Sequence, residues 1–157
     1  MATAIERLDD TDVKILRLLQ QNARLTLKEI GAQVNLSSTP VYERFRRLER
    51  EGYIKAYVAV LDEEKLNMGF TVYCSVTLKQ QNKENASEFA AVMRGLREVT
   101  ECYNISGRFD YLLKIQVPSM RAYREFALNV LGAMEVVLTF ESTFVMEEVK
   151  HEFGISI

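Results

Sequence analysis

Apolar residues recur along this chain with two different periods, and the switch between them divides it. From Val13 to Leu48 they return every three or four residues, the spacing of one helix face. Val13, Ile15, Leu16, Leu18 and Leu19 predict a first helix, opened by Leu8-Asp9-Asp10-Thr11. Asp9, Asp10 or Thr11 can cap it, and the acidic cluster suits the positive end of the helix dipole. Gln20-Gln21-Asn22 ends the pattern. Thr26 with Glu29 three residues on is a capping box for a second helix, whose inward stripe is Leu27, Ile30 and Val34. The small pair Gly31-Ala32 lets another helix cross closely. Asn35 tolerates the left-handed turn that must follow, and Leu36 plugs the angle. Ser37 or Thr39 caps a third helix with Pro40 in its first turn, where a missing N–H does no harm. Val41, Phe45 and Leu48 face inward, and Gly52 stops the helix.

Beyond Gly52 the period falls to two. Tyr53–Leu61 alternates and reads as a hinge strand, one half of a two-stranded ribbon, and Asp62–Gly69 is turn-like. From residue 70 the order is strand, helix, strand, strand, helix, strand. Phe70–Leu78, Val99–Ser106 and Tyr111–Val117 are strands, and 136–149 is a long final strand or broken pair. Ala86–Leu96 and Met120–Leu131 are helices. The fold class is therefore α+β: an N-terminal winged helix-turn-helix (1–52), a strand-like hinge and linker (53–69), and a βαββαβ ferredoxin-like domain (70–157). Apolar residues of both strand parities, such as Val72 and Tyr73 or Leu112 and Leu113, predict a sheet buried on both faces and hence a second subunit.

Charge changes the picture only when it is divided. The 157 residues carry a net charge of −2, which excludes a basic protein that coats nucleic acid. Residues 1–60 hold ten Lys/Arg against eight Asp/Glu, and the rest ten against fourteen, so the positive excess lies with the helices. A projection at about 100° per residue points Thr39, Glu43, Arg46 and Arg50 away from the core. Tyr42 and Arg47 flank that face and Arg44 lies nearer the buried stripe. Hydroxyls, an aromatic ring and arginines at a helix N-terminal half suit a DNA major groove with flanking phosphates.

Catalytic chemistry finds no footing. There is no G-x-S-x-G, no glycine-rich phosphate loop and no metal-ligand cluster, and His151 is the one histidine. The chain is read as not an enzyme, with no cofactor and no metal. Cys74 and Cys102, in apolar strand-like runs, read as buried free thiols of a reducing cytosol. No signal-like or membrane-spanning apolar run is present, so a cytoplasmic protein without a membrane partner is expected.

Five collinear stretches carry a family resemblance: Leu8–Leu19 (LDDTDVKILRLL), Leu36–Ile54 (LSSTPVYERFRRLEREGYI), Glu101–Lys114 (ECYNISGRFDYLLK), Val117–Tyr123 (VPSMRAY) and Val145–Lys150 (VMEEVK). The chain resembles the leucine-responsive regulatory protein/asparagine-regulator (Lrp/AsnC) family. The leucine-responsive branch is nearest, through SSTPVYERFRRLER and VMEEVK. The resemblance implies a transcriptional regulator whose partners are double-stranded DNA, a small amino-acid effector and further copies of itself. The copies would form dimers with sheets back to back, assembling to octamers or larger, with effector bound between dimers. It implies DNA contacts along Ser37–Arg47, here Ser37, Ser38, Thr39, Pro40, Tyr42, Glu43, Arg44, Arg46 and Arg47; of these, Ser38, Thr39, Tyr42 and Arg46 are expected in the groove, and Arg44 and Arg47 on phosphates. It implies effector positions at Ser106, Gly107, Arg108 and Asp110 in the loop between the second and third strands, with Met120, Thr143, Phe144 and Val145. Gly107 would expose N–H groups for a carboxylate and Asp110 would pair with an α-ammonium group. Arg108 and Thr143 depart from what close relatives carry, so leucine is not assured. The alternative is a ligand-independent, architectural DNA-compacting protein of the same fold.

Overall fold

Two independently packed units account for the chain in the computed structural model, which describes residues 8–157. One unit holds the chain up to Val60 together with Lys150–Ile157; the other is Leu61–Val149. The last stretch thus returns to the helical unit and does not end with the sheet, as the domain division above expects.

The helical unit is built from α1 (Asp10–Gln21), α2 (Leu27–Val34) and α3 (Ser38–Arg50). Their boundaries follow local chemistry. Asp9 caps α1, accepting from the Asp12 N–H while Asp12 reaches back to the Asp9 N–H. Thr26 and Glu29 form the same reciprocal pair at α2, and Asn35 turns the chain at φ 57°. Gly52, at φ 76°, ends α3 in a Schellman turn: its N–H donates to Glu49, and the Tyr53 N–H donates to Leu48. Ile15, Leu19, Ile30, Val41 and Leu48 form the buried core, and Phe45 packs at its rim under the stacked ring of Tyr57.

The sheet unit follows the expected order: β1 (Phe70–Leu78), α4 (Lys83–Gly95), β2 (Val99–Asn104), β3 (Tyr111–Val117), α5 (Met120–Asn129), β4 (Val137–Phe144). All pairings are antiparallel in the spatial order β2-β3-β1-β4. Alternation sends Val72, Cys74, Val76 and Leu78 of β1, with Leu113, Ile115 and Val117 of β3, onto Phe89 and Met93 of α4 and Tyr123 and Phe126 of α5. Burial pushes the Cys74 thiol up to about 11 and the Tyr123 hydroxyl, which meets Ser142 Oγ, up to about 12.

Four expectations are corrected. Residues 53–61 carry no strand, because the protomer offers them no ladder partner. The last strand stops at Phe144: β1 starts at Phe70, and the Val145 N–H to Thr71 carbonyl bond is the final rung. Cys102 is exposed, since β2 is an edge strand. The second sheet face is not apolar throughout. It presents Tyr73, Tyr103 and Leu112 among Thr71, Ser75, Glu101, Lys114, Gln116 and Glu141, as the strand register requires.

Gly31 supplies a test of the α2–α3 turn. A Cβ there would lie 2.5 Å from the Leu36 carbonyl oxygen, a backbone atom. Replacing a mid-helix glycine by alanine ordinarily stabilises by about 1 kcal/mol. Gly31→Ala is expected instead to destabilise by about 1–3 kcal/mol, the cost of overpacking, measured by urea unfolding; a stabilised variant would refute the close approach.

Candidate nucleic-acid interface and effector site

The sequence of α3 leaves one face uncommitted. Val41 and Leu48 are fully buried, which rotates Ser38, Thr39, Tyr42, Glu43 and Arg46 outward. Tyr42 is 50% exposed. The Arg46 side chain is 61% exposed and lies 3.0 Å from Glu49, one turn on. Ser37, the N-cap, makes no side-chain capping bond, so its hydroxyl and the first N–H groups of α3 stay available. Pro40, half-buried, takes the position whose N–H would have had no helical partner.

Arg44 and Arg47 behave differently from expectation. They turn back toward α1 and converge on Asp12, whose carboxylate is 1% exposed. Arg44 Nη1 donates to Asp12 Oδ1 at 2.8 Å and to Asp9 Oδ2 at 2.6 Å, and Arg47 Nη2 donates to Asp12 Oδ2. The Asp12 N–H, followed by the Arg44 guanidinium, holds the Asp9 carboxyl below the usual carboxylate range. Asp12, then Asp9, holds Arg44 above its ordinary value. In this structure both guanidinium groups are paired with carboxylates at the start of α1, while each arginine keeps about a third of its side chain exposed. Nothing in the sequence around Asp12 signals its burial, because an Asp in a first helical turn reads as capping.

In the sheet unit, the hairpin loop after β2 encloses an open pocket of about 490 Å3. Ser106, Gly107 and Asp110 line it, with Asn104, Ile105, Phe109 and Tyr111 from the hairpin and Gln81, Asn82 and Lys83 from the loop entering α4. Gly107 sits at φ 119°, a conformation that side-chain-bearing residues rarely adopt. Asp110 is buried and heavily used: Oδ2 accepts the Leu78 N–H at 2.7 Å, and Oδ1 accepts the Gln81 side-chain amide. Its carboxylate ties the hairpin to the end of β1. Gln81, Asn82 and Lys83 were not anticipated as lining residues. They lie in a polar loop without a motif, and only the return of β3 beside β1 brings them to the hairpin.

The other effector positions are elsewhere. Arg108 leans over the Phe109 ring and toward Glu141, outside the pocket lining. Met120 begins α5 and is half-exposed. Phe144 packs edge-on against Tyr123 at 5.5 Å, Thr143 projects from the opposite face beside Tyr73, and Val145 bonds Thr71. Thr143 pairs with Tyr73, whereas the Asp110 N–H meets Val76, so the two groups sit toward opposite ends of the sheet, roughly 10–15 Å apart at ~3.4 Å per residue. One protomer brings Ser106, Gly107 and Asp110 together and leaves Met120, Thr143, Phe144 and Val145 apart from them.

Residues 71–155 match the Lrp/AsnC ligand-binding domain, and residues 8–55 match a winged helix-turn-helix DNA-binding domain. Leucine-responsive regulatory proteins of Salmonella typhimurium and Escherichia coli K12 are 41% and 40% identical over 143 residues, 91% of this chain and 87% of each of theirs. Among solved structures, a transcriptional regulator of Neisseria meningitidis in complex with L-Met superposes with a TM-score of 0.91 at 36% identity, covering 95% of this chain and 96% of that one. An AsnC family regulator of Agrobacterium tumefaciens gives 0.90 at 34% identity, covering 95% and 97%.

The Asp12 cluster predicts a stability loss. Asp12→Asn keeps the shape but removes the carboxylate that Arg47 pairs with and leaves Arg44 with Asp9 alone. Because each arginine keeps about a third of its side chain in solvent, the loss is expected at about 2–3 kcal/mol, below the range for fully buried pairs. Urea unfolding measures it, and an unchanged midpoint would mean that the arginines hold nothing.

Proposed function

The chain belongs to the Lrp/AsnC family of DNA-binding transcriptional regulators, and from that premise we propose that a small amino acid of leucine or methionine size modulates its DNA binding through assembly. The observation that carries this reading is the split of the effector positions. Ser106, Gly107 and Asp110 line one pocket, while Met120, Thr143, Phe144 and Val145 lie toward the other end of the same sheet. A ligand that uses both groups takes them from different protomers. Dimers and larger closed assemblies, octamers among them, supply that arrangement. The partly apolar second sheet face and the exposed Val58, Val60 and Leu61 of the hinge give a second copy something to cover. The relative solved with L-Met favours an effector with an unbranched or γ-branched apolar side chain over a charged one.

On DNA, Ser38, Thr39, Tyr42 and Arg46 are the groove-facing residues in this proposal, with Ser37, Pro40 and Glu43 beside them. Two such helices on a dimer would address half-sites about one helical turn, or a multiple of it, apart. Arg44 and Arg47 are left out of the contact set because Asp12 and Asp9 occupy them. Binding DNA requires the compartment that holds it, and the cytoplasm is part of the same proposal. No helix among the described residues is long and apolar enough to cross a membrane.

Two measurements test this. Arg46→Ala is expected to weaken specific binding by about 1–3 kcal/mol while changing non-specific binding little; equal losses on both would reduce Arg46 to a phosphate contact. A thermal-shift screen of the twenty amino acids should single out leucine or methionine, since a ligand at a hundred times its Kd adds about 2.7 kcal/mol to the native state. The same ligand should move the gel-shift midpoint and the oligomer size together. If no amino acid changes either, the architectural, ligand-independent reading replaces this one.

A further inference from the structure

The end of the chain is held by the first helix. After β4 the chain carries no helix or strand and rejoins the helical unit as Lys150–Ile157. Gln20 of α1 engages both sides of one residue's backbone: the Ile155 N–H donates to Gln20 Oε1 at 2.7 Å, and Gln20 Nε2 donates to the Ile155 carbonyl at 3.2 Å. Arg17, three residues earlier on the same helix face, donates from Nε to the Ile157 carbonyl at 2.7 Å. Gly154 lies close against the same amide, so that a Cβ there would stand 3.2 Å from Gln20 Oε1. Phe153 and Ile155 keep 67% and 74% of their surface exposed, so side-chain burial is not what holds the segment. A primary amide offers one acceptor and two donors, and here it engages both the N–H and the carbonyl of one residue.

We propose that the Arg17–Gln20 face of α1 is a docking site for the chain's own Gly154–Ile157, and that this strap makes the DNA-reading helix answer to the sheet unit. The chain passes between its units twice, once at Val60/Leu61 and again at Val149/Lys150. The first passage follows α3. The second begins a few residues after Val145 and ends on α1, the helix that carries Asp12 and through it holds Arg44 and Arg47 of α3. Displacement at the end of β4 therefore has a bonded route to the anchor of the recognition helix. The regulatory half of this inference rests on the amino-acid response proposed above.

The test uses the full chain with Gln20→Ala and Arg17→Ala, and separately a chain ending at Phe153. Hydrogen exchange of the Ile155 amide reads the docking by itself: Gln20→Ala should speed it by about tenfold or more, as loss of a local opening barrier does. DNA affinity without amino acid should stay within about twofold of the parent. The amino-acid-dependent change in DNA affinity, an expected coupling of about 5–150-fold in systems of this kind, should shrink at least threefold in both variants. The midpoint for amino-acid binding should not move. Unchanged exchange at Ile155 in Gln20→Ala overturns the docking. An undiminished DNA response in the chain ending at Phe153 overturns the strap. Protection of Ile155 that vanishes on dilution to monomers assigns the segment to a second copy and overturns the own-chain assignment. A parent protein without any amino-acid response defeats the functional reading of the previous subsection and the strap's regulatory role, leaving the exchange result to decide the docking alone.

Discussion

A single buried carboxylate governs how the DNA-reading helix is presented. Asp12 takes part in the cap of α1 and accepts from two arginines of α3, which lie 32 and 35 residues away in sequence. Apolar packing of Val41 and Leu48 presses α3 onto the core but is non-directional. The two guanidinium bonds are directional and fix how α3 is rolled about its own axis. With that roll set, Ser38, Thr39, Tyr42 and Arg46 share an outer face. The device reduces the cationic charge that α3 offers to phosphate. Of the arginines between residues 44 and 50, Arg46 and Arg50 remain on the exposed side. A helix with few free cations makes modest contacts by itself, and useful affinity then has to come from several helices acting together.

Strand parity imposes the second constraint. Side chains alternate across the sheet, so the residues that build the core with α4 and α5 automatically leave their neighbours on the far face. That face holds Lys114 at 8% exposure, 3.7 Å from Glu101, and a Gln116 amide nitrogen buried with no acceptor in the protomer. A buried donor without an acceptor is costly, so this face carries polar groups that the protomer itself leaves poorly satisfied. The hinge adds to this, since Tyr57–Leu61 carries exposed apolar side chains and belongs to no strand.

What could be read from the amino-acid order alone was whatever is decided locally. The Asp9 and Thr26 caps, the left-handed Asn35, the Gly52 stop and the βαββαβ order all follow from neighbours within a few residues, or from a period in hydrophobicity. The errors have a common origin in partners distant along the chain. Tyr53–Leu61 and Val145–Val149 were read as strand, but a strand exists only where another strand supplies its rungs. The pairing of Arg44 and Arg47 with Asp12 is likewise a contact between residues distant along the chain, which helical position alone does not reveal. Cys102 sits in an apolar run that lies at the sheet's edge. For the effector site, Gly107 was visible as a turn glycine. Gln81 and Lys83 were not visible, and Asp110 revealed itself as a clasp between β1 and the hairpin only once its two oxygens had named partners.

The separation of the two effector groups bears on how a small ligand can govern a regulator of this kind. A ligand shifts an equilibrium only by the difference between its affinities for the two states. Were all its contacts inside one protomer, it would bind free and assembled chains alike and change nothing about assembly. When Gly107 and Phe144 must come from different copies, much of the binding free energy exists only in the assembly, or only in one of several assemblies. In the proposed function the amino acid would then select among oligomers by mass action, and the number and spacing of recognition helices offered to DNA would change with it. Reciprocity follows: DNA that favours one assembly also alters that assembly's affinity for the amino acid.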